Sequence, residues 1–442
     1  MEEAAQAGVP VLIESTSNQV NHRGGYTGMR PAGFRALVTR LADSCGFPRD
    51  RVILGGDHLG PYPWRSQPAE VAMAEACALV TECVLAGYAK IHLDASMPLG
   101  GDPLGSHGGI GAELAAEREA RLAEAAETAA SSGLRMSPAQ ARVSGAGTER
   151  PVYVIGTEVP QPGGIAGEAS VGVTSEEEFV QTVDLCRAAF RRRGLDAAWE
   201  RVVAVVVQPG VEFGDHTVHA YDRAAARDLI DAARARPDLV LEGHSTDYQR
   251  PRHLRELVED GVAVLKVGPA LTYAVRESLF SLERLHAELV LYKLLPEPPE
   301  LACGGLTTAL EKAMDDTPEH WRSYYHGSPM HQRFCRLYSY SDRARYYWQI
   351  PEVASAVERL ISDLDKASVP ESLWSQFVGR HYRSLLARGG AVTPERVIVE
   401  SARSVLRDYT AATRARDELA PPDGACVEPD LRARGDQERG PG

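Results

Sequence analysis

The run VVAVVV at positions 202–207 restricts the possible architectures more than any other stretch of this chain. It offers no polar face to water, so it reads as a strand covered on both sides, which places it in the middle of a parallel sheet or barrel. A parallel sheet needs helical crossovers, and the flanking sequence supplies both kinds of element. Short apolar runs stand at 10–15 (PVLIES), 51–56 (RVILGG), 89–96 (AKIHLDAS), 152–159 (VYVIGTEV), 202–210 (VVAVVVQPG), 239–245 (LVLEGHS) and 262–268 (VAVLKVG). Stretches of helical period lie between them at 31–46, 68–86, 112–132, 175–193, 222–235, 251–260 and 271–293, and TSEEEF at 174–179 carries a helix-start signal.

The pattern predicts a (β/α)8 TIM barrel over residues 1–293, although an eighth strand is not visible. A doubly wound sheet is disfavoured because no G-x-G-x-x-G turn follows the first strand and polar residues gather after many strands, not at one switch point. After residue 294 the rhythm changes. LLPEPPELACGG reads as a connection, and the aromatic-rich sequence that follows predicts a helical extension over 294–415, packed on the barrel. Residues 416–442, rich in proline, glycine and charge, are expected to be disordered.

Charge excludes several partners. The chain has 48 basic and 61 acidic residues among 442, a formal net charge of −13, with no basic stripe, which argues against nucleic acid and anionic lipid. MEEAAQAGVP has no basic n-region and no run approaches the roughly 18 apolar residues of a membrane helix, so a cytoplasmic location is expected. The seven cysteines are scattered, with no C-x-x-C, and read as buried or idle thiols.

In a barrel the chemistry sits where strands exit. The exits here carry Glu14, Asn18 and Gln19; Asp57 and His58; His92 and Asp94; Glu158; Gln208; Glu242, His244, Ser245 and Asp247; and Lys266 before Gly268. Carboxylates and imidazoles converging on one mouth repel one another unless a cation lies between them, so a divalent ion (Zn, Mn, Co or Ni) is expected, with His58 as the first ligand. Asp57 and His58 are neighbours, and side chains alternate along a strand, so the strand must bend at Gly55–Gly56 for both to serve the site, Asp57 as general base and His58 as ligand. The turns EGHSTD (242–247) and LKVGPALT (265–272) offer backbone N–H groups to an anion, and the loop NHRGGYTGM (21–29) offers Arg23. YSYSDRARYYW (338–348) reads as a helix that docks on the barrel or reaches its mouth.

Taken in order, IESTSNQVNHRGGYTGM, GGDHLGP, KIHLDAS, GTEVPQPGG, VVQPGVEFG, EGHSTDYQ, LKVGPALTYAVRE and SYSDRARYYW resemble the GatZ/KbaZ family, the so-called non-catalytic subunit of class II D-tagatose-1,6-bisphosphate aldolase, from about residue 8 to about residue 412. The resemblance implies a TIM barrel related to the metal-dependent class II aldolases, a role in tagatose or galactitol catabolism, and a separate aldolase subunit as partner. Some relatives are described as C4 epimerases of ketohexose phosphates or keto-acids. Asp57–His58 resembles the catalytic Asp and first metal-binding His of class II aldolases, and Ser245 resembles their phosphate-contacting Ser. Where those enzymes have two further His ligands, this chain has Gln208 and Glu242, with His244 two positions on. Two functions stay open: an epimerase in which His58, Glu242 and His244 hold the ion, Asp57 is the base and Glu158 or Asp94 the second acid/base, or a supporting subunit without turnover. For the epimerase, a sugar phosphate would be held by Asn18, Gln19, Arg23, Gln208, Ser245, Lys266 and Gly268. A homo-oligomer is also possible.

Overall fold

The structure is a computed structural model that describes residues 1–104, 109–132, 150–156, 171–295 and 305–419. The apolar runs form the strands β1 (Val11–Thr16), β2 (Val52–Leu59), β3 (Lys90–Leu93), β4 (Val152–Ile155), β5 (Val202–Val207), β8 (Val240–Gly243) and β9 (Val262–Leu265), which pair in that order in one seven-stranded sheet, parallel throughout. Helices Pro31–Ser44, Ala69–Leu85, Ala112–Ser131, Glu176–Arg192, Arg227–Arg234, Pro251–Glu259 and Pro269–Leu291 alternate with the strands. A two-stranded antiparallel hairpin, β6 (Glu212–Phe213) and β7 (Val218–His219), follows β5 and was not foreseen, since two-residue strands leave no readable period.

The sheet is curled. β1 and β9 lie at its opposite edges, yet Lys266, the residue after β9, makes an ion pair with Glu14 on β1. Among the described residues no strand pairing joins these edges, so the architecture is a barrel-like α/β sheet without demonstrated closure.

Alternation along β5 explains why every residue in that run is apolar. Val205 and Val207 face the main core shared with the surrounding helices, while Ala204 and Val206 turn the other way onto Val154 of β4. β3 divides its faces differently. Ile91 and Leu93 enter the main core, and Lys90 and His92, although buried, belong to a polar interior. Period two thus delivers charged side chains to one side of a strand whose other side is hydrophobic.

The extension has its own core. Leu279, Leu282, Leu285 and Leu289 of helix Pro269–Leu291 pack with Leu310, Met314, Trp321, Leu360, Trp374 and Leu385, so that helix serves the sheet at its start and the extension along its length. The last helix, Pro394–Leu419, returns to the sheet: the Tyr409 hydroxyl donates to the Thr246 carbonyl at 2.8 Å, and Arg403 pairs with Glu2 and Glu3. The stretch 338–348 is not one helix. Helix Pro329–Tyr338 ends there, and a 3-10 turn at Arg343–Tyr346 follows Asp342, whose φ is 44°.

Candidate functional site

The bend required at Gly55–Gly56 is present. β2 continues to Leu59, but its register against β3 shifts between Gly56 and Leu59, and His58 adopts a left-handed φ of 48°. The shift breaks strict alternation, and Asp57 and His58 both line one cavity. Gly55 is needed for a second reason: a Cβ there would come within 2.7 Å of a Glu14 carboxylate oxygen.

That cavity, of about 350 Å3, also receives Glu14, Asn18, Gln19, His244, Ser245, Asp247, Lys266 and Gly268, together with Arg345 and Tyr346 from the extension. Beneath it is a network of buried charge. Lys90 Nζ lies 2.8 Å from Glu14 and 2.7 Å from Glu242, and Lys266 Nζ contacts Glu14 and sits 3.1 Å from Asp57. His244 Nε2 is 3.0 Å from Glu242, His92 Nδ1 is 3.0 Å from Asp57, and His58 Nδ1 is 2.7 Å from Asp94. The rings of His58, His92 and His244 stand 4.8–5.3 Å apart.

Electrostatics follow from these neighbours. Burial opposes ionisation of Asp57, but Lys266 and His58 outweigh it and hold the carboxyl well below its usual range. Burial likewise works against Glu242, where Lys90 and Lys266 prevail in the same direction. Burial pushes His244 down to about 4, leaving a neutral imidazole with a free lone pair near pH 7. Burial also disfavours charge on His58, but Asp57 and Asp94 override it and raise the ring.

Asp57, His92, Glu242 and His244 can each bring one donor atom within 4.8 Å of the others. The 3.0 Å between His244 Nε2 and a Glu242 oxygen suits adjacent ligands on one ion, because two bonds of about 2.1 Å at right angles span about 3.0 Å. His92 supplies a further sign. Its Nδ1 stands 3.0 Å from Asp57, which suits donation of an Nδ1–H to that carboxylate, and its buried Nε2, without a hydrogen-bond partner among the described residues, then keeps a lone pair for an ion. The four carboxylates of the network (Glu14, Asp57, Asp94, Glu242) face two ammonium groups, which leaves two negative charges for protonated imidazole or a divalent cation to balance. The residues present therefore fit a divalent ion.

This set differs from the one expected. Glu242 and His244 belong to it, but His92 and Asp57 join them where His58 was expected. His58 stands alongside with Nδ1 engaged by Asp94, so Asp94 orients an imidazole and also accepts from the Ser96 backbone N–H and hydroxyl. His92 was visible as a strand-exit residue, and the missed signal was its spacing: Lys90 and His92 share one face of β3.

The expected anion contacts divide. Asn18, Gln19, Ser245 and Lys266 line the cavity. Arg23 does not, because its exposed guanidinium forms a two-pronged pair with Glu75. The Gln208 side-chain oxygen is absorbed by its own turn, accepting from the N–H groups of Gly210 and Val211 at 2.9 Å each. The N–H of Gly268 lines up with that of Ala270 on Asp247 Oδ1, both at 2.9 Å, so that helix start already holds a carboxylate. Glu158 lies outside the described residues. A cationic group besides Lys266 that reaches the cavity is Arg345, whose guanidinium contacts carbonyl oxygens and the Tyr346 hydroxyl instead of a carboxylate.

Fold and site together define an α/β protein with a polar, cation-fitting centre at the strand ends of a curled parallel sheet. The family model described as D-tagatose-1,6-bisphosphate aldolase subunit GatZ/KbaZ-like matches residues 1–414, so the chain belongs to that family. It is similar to the crystal structure of a probable tagatose 6 phosphate kinase from Sinorhizobium meliloti 1021, at 42% identity and TM-score 0.79, covering 93% of this chain and 96% of that one. Fructose-bisphosphate aldolase of Campylobacter jejuni aligns at 13% identity and TM-score 0.36, covering 84% and 86%. Fructuronate-tagaturonate epimerase UxaE of Cohnella laeviribosi aligns at 11% and 0.39, covering 94% and 77%. These last two are too distant to carry an argument about this chain. Among the described residues no helix is long and apolar enough to cross a membrane.

Proposed function

We propose that this protein is a cytoplasmic, divalent-metal-dependent enzyme that breaks and remakes the C3–C4 bond of a ketohexose phosphate, interconverting tagatose 6-phosphate and fructose 6-phosphate. The observation that carries the reading is the meeting of four metal-type donors, Asp57, His92, Glu242 and His244, the first and last of which line a cavity that Arg345 also lines. Tagatose 6 phosphate in the name of the similar Sinorhizobium protein supports the choice of sugar.

His92, Glu242 and His244 would hold the ion, which when bound supplies positive charge to polarise the C2 carbonyl. Asp57, kept ionised by Lys266 at 3.1 Å, takes the C4 hydroxyl proton. As that proton leaves, the C3–C4 electron pair withdraws toward C2 and C4 becomes an aldehyde. The cavity walls retain the aldehyde while it turns its other face to C3. Bond formation then regenerates the C4 oxygen, and Asp57 returns the proton to give the inverted centre. His58, oriented by Asp94, flanks Asp57 as the second proton-handling group. Arg345 anchors the phosphate, with Asn18, Gln19 and Ser245 as neutral donors beside it.

The second reading, a supporting subunit of an aldolase, is favoured by the word subunit in the family description. One experiment separates the two. The isolated chain is incubated with Mn, Co, Ni or Zn and each sugar phosphate, and isomers and trioses are followed by NMR. Isomer exchange with little triose release is expected. No exchange with any of the metals, combined with stimulation of an added aldolase subunit, would replace the enzyme reading with the supporting one.

A further inference from the structure

A second cluster of ligand-type side chains lies outside the mouth and shares no residue with it. His331 and Cys335 are four positions apart on helix Pro329–Tyr338, hence on one face. Proline at its first turn and a Ser328 cap, whose hydroxyl accepts the His331 N–H at 3.2 Å, fix where this helix starts and how that face is turned. Opposite is His216, at the tip of the β6–β7 hairpin, whose turn is closed by the Gly214 N–H on the Thr217 carbonyl at 2.9 Å. Two further bonds lock hairpin to helix end. The Tyr340 N–H donates to the Asp215 carbonyl at 3.0 Å, and the Ser339 hydroxyl donates to the Asp215 carboxylate at 2.8 Å.

We propose that His216, His331 and Cys335 form a metal site of their own, separate from the mouth, which takes a thiophilic divalent ion of the zinc type and ties the β6–β7 hairpin to the extension. Both imidazoles aim Nε2 at the same sulfur, at 3.4 Å from His331 and 3.8 Å from His216. Tetrahedral zinc, with bonds of about 2.3 Å to sulfur and 2.0–2.1 Å to nitrogen, requires a sulfur-to-nitrogen separation of about 3.5 Å, which these two distances bracket. All three donors lie within 4.8 Å of one another, so one ion reaches them with small side-chain movements. His216 and His331 are exposed and Cys335 is buried, so an ion enters from solvent and meets the thiol last. Water completes the fourth position on the open side. The ring of Phe334 stands edge-on to His216 at 5.2 Å on one flank.

The mouth offers only nitrogen and oxygen, so a sulfur signal distinguishes the two sites. The full chain is stripped with chelator and titrated with cobalt(II). A near-ultraviolet thiolate-to-cobalt band that saturates within two equivalents, one of them taken by the mouth, is expected, with the same final intensity in His244→Ala, absent in Cys335→Ser and at least tenfold weaker in affinity in His331→Ala. His331 is exposed, so its variant keeps a folding-neutral test available should Cys335→Ser lose stability. Wild type without the band at saturating cobalt, or Cys335→Ser with the band intact, overturns the proposal. Neither result bears on turnover at the mouth.

Discussion

Two regions of this molecule bury ionised groups side by side and use them differently. At the docking of the extension on the sheet, Arg276 and Asp342, 1% and 0% exposed, face each other at 3.2 Å, one charge against one. Thr272 donates to the same Asp342 carboxylate, and Arg276 also stacks over Tyr273 at 4.2 Å. At the mouth three carboxylates, Glu14, Asp57 and Glu242, share two lysines, a fourth, Asp94, pairs with His58, and the rings of His58, His92 and His244 crowd together. At the extension's docking, one carboxylate meets one guanidinium, charge for charge, and the pair joins helix Pro269–Leu291 to the loop that carries Arg345. An unmatched cluster is complete only with a proton or an ion from outside, which is the condition for binding and chemistry. Counting charge and counter-charge in buried networks therefore separates scaffold from site.

The sharpest way to break the comparison is to unbalance the matched pair. Asp342→Ala leaves Arg276 buried without its carboxylate, and about 3–5 kcal/mol of stability should be lost in denaturant unfolding. Replacing both partners, Arg276→Met with Asp342→Leu, should recover most of that loss. If the single and double variants unfold alike, the junction is not held as a pair.

A third buried carboxyl shows what happens with no cation at hand. Glu119, on helix Ala112–Ser131 against Cys186, is pushed up to about 8 by burial. Its folded value exceeds the usual 4.5, so the unfolded chain releases this proton first as pH rises. The stability it contributes is full below about 4.5, declines between 4.5 and 8 and is gone above 8. Glu119→Gln should therefore be more stable than wild type at pH 9, by on the order of 3 kcal/mol, and show a flatter pH profile of melting temperature. Equal melting curves at pH 9 would mean Glu119 has an unrecognised positive partner.

At the mouth the corresponding change is kinetic. Asp57→Asn should lower kcat by about a hundredfold, ~2.7 kcal/mol on the barrier, with metal content unchanged. Loss of metal together with turnover would instead make Asp57 a ligand. The smallest effect belongs to Arg345→Ala. It should raise KM for a ketose phosphate about tenfold, ~1.4 kcal/mol, and leave an unphosphorylated ketose unaffected. An equal rise for both substrates would assign Arg345 to loop structure.

The seven strands and their helices were legible because burial on two faces and helical period are local properties of the chain, as in VVAVVV and KIHL. The exit residues were legible for the same reason. Pairings between distant segments were not. Arg23 read as a ligand contact because its partner, Glu75, lies 52 positions away, whereas the turn that absorbs Gln208 is local, at Gly210 and Val211, and was overlooked. Arg345 was visible only as part of an aromatic stretch, since nothing local states that Asp342 will meet Arg276 66 positions earlier, the pairing that brings it to the cavity. The bend that lets Asp57 and His58 serve one site was legible because two glycines preceded it.

The central claim is that the mouth cluster is made whole by one divalent ion, and anomalous X-ray diffraction from crystals grown with manganese tests it most directly. The account predicts a peak enclosed by His92, Glu242 and His244 at bonding distances of about 2.0–2.3 Å, with Lys266 still on Glu14. Saturated crystals with no anomalous density among those three residues would contradict it.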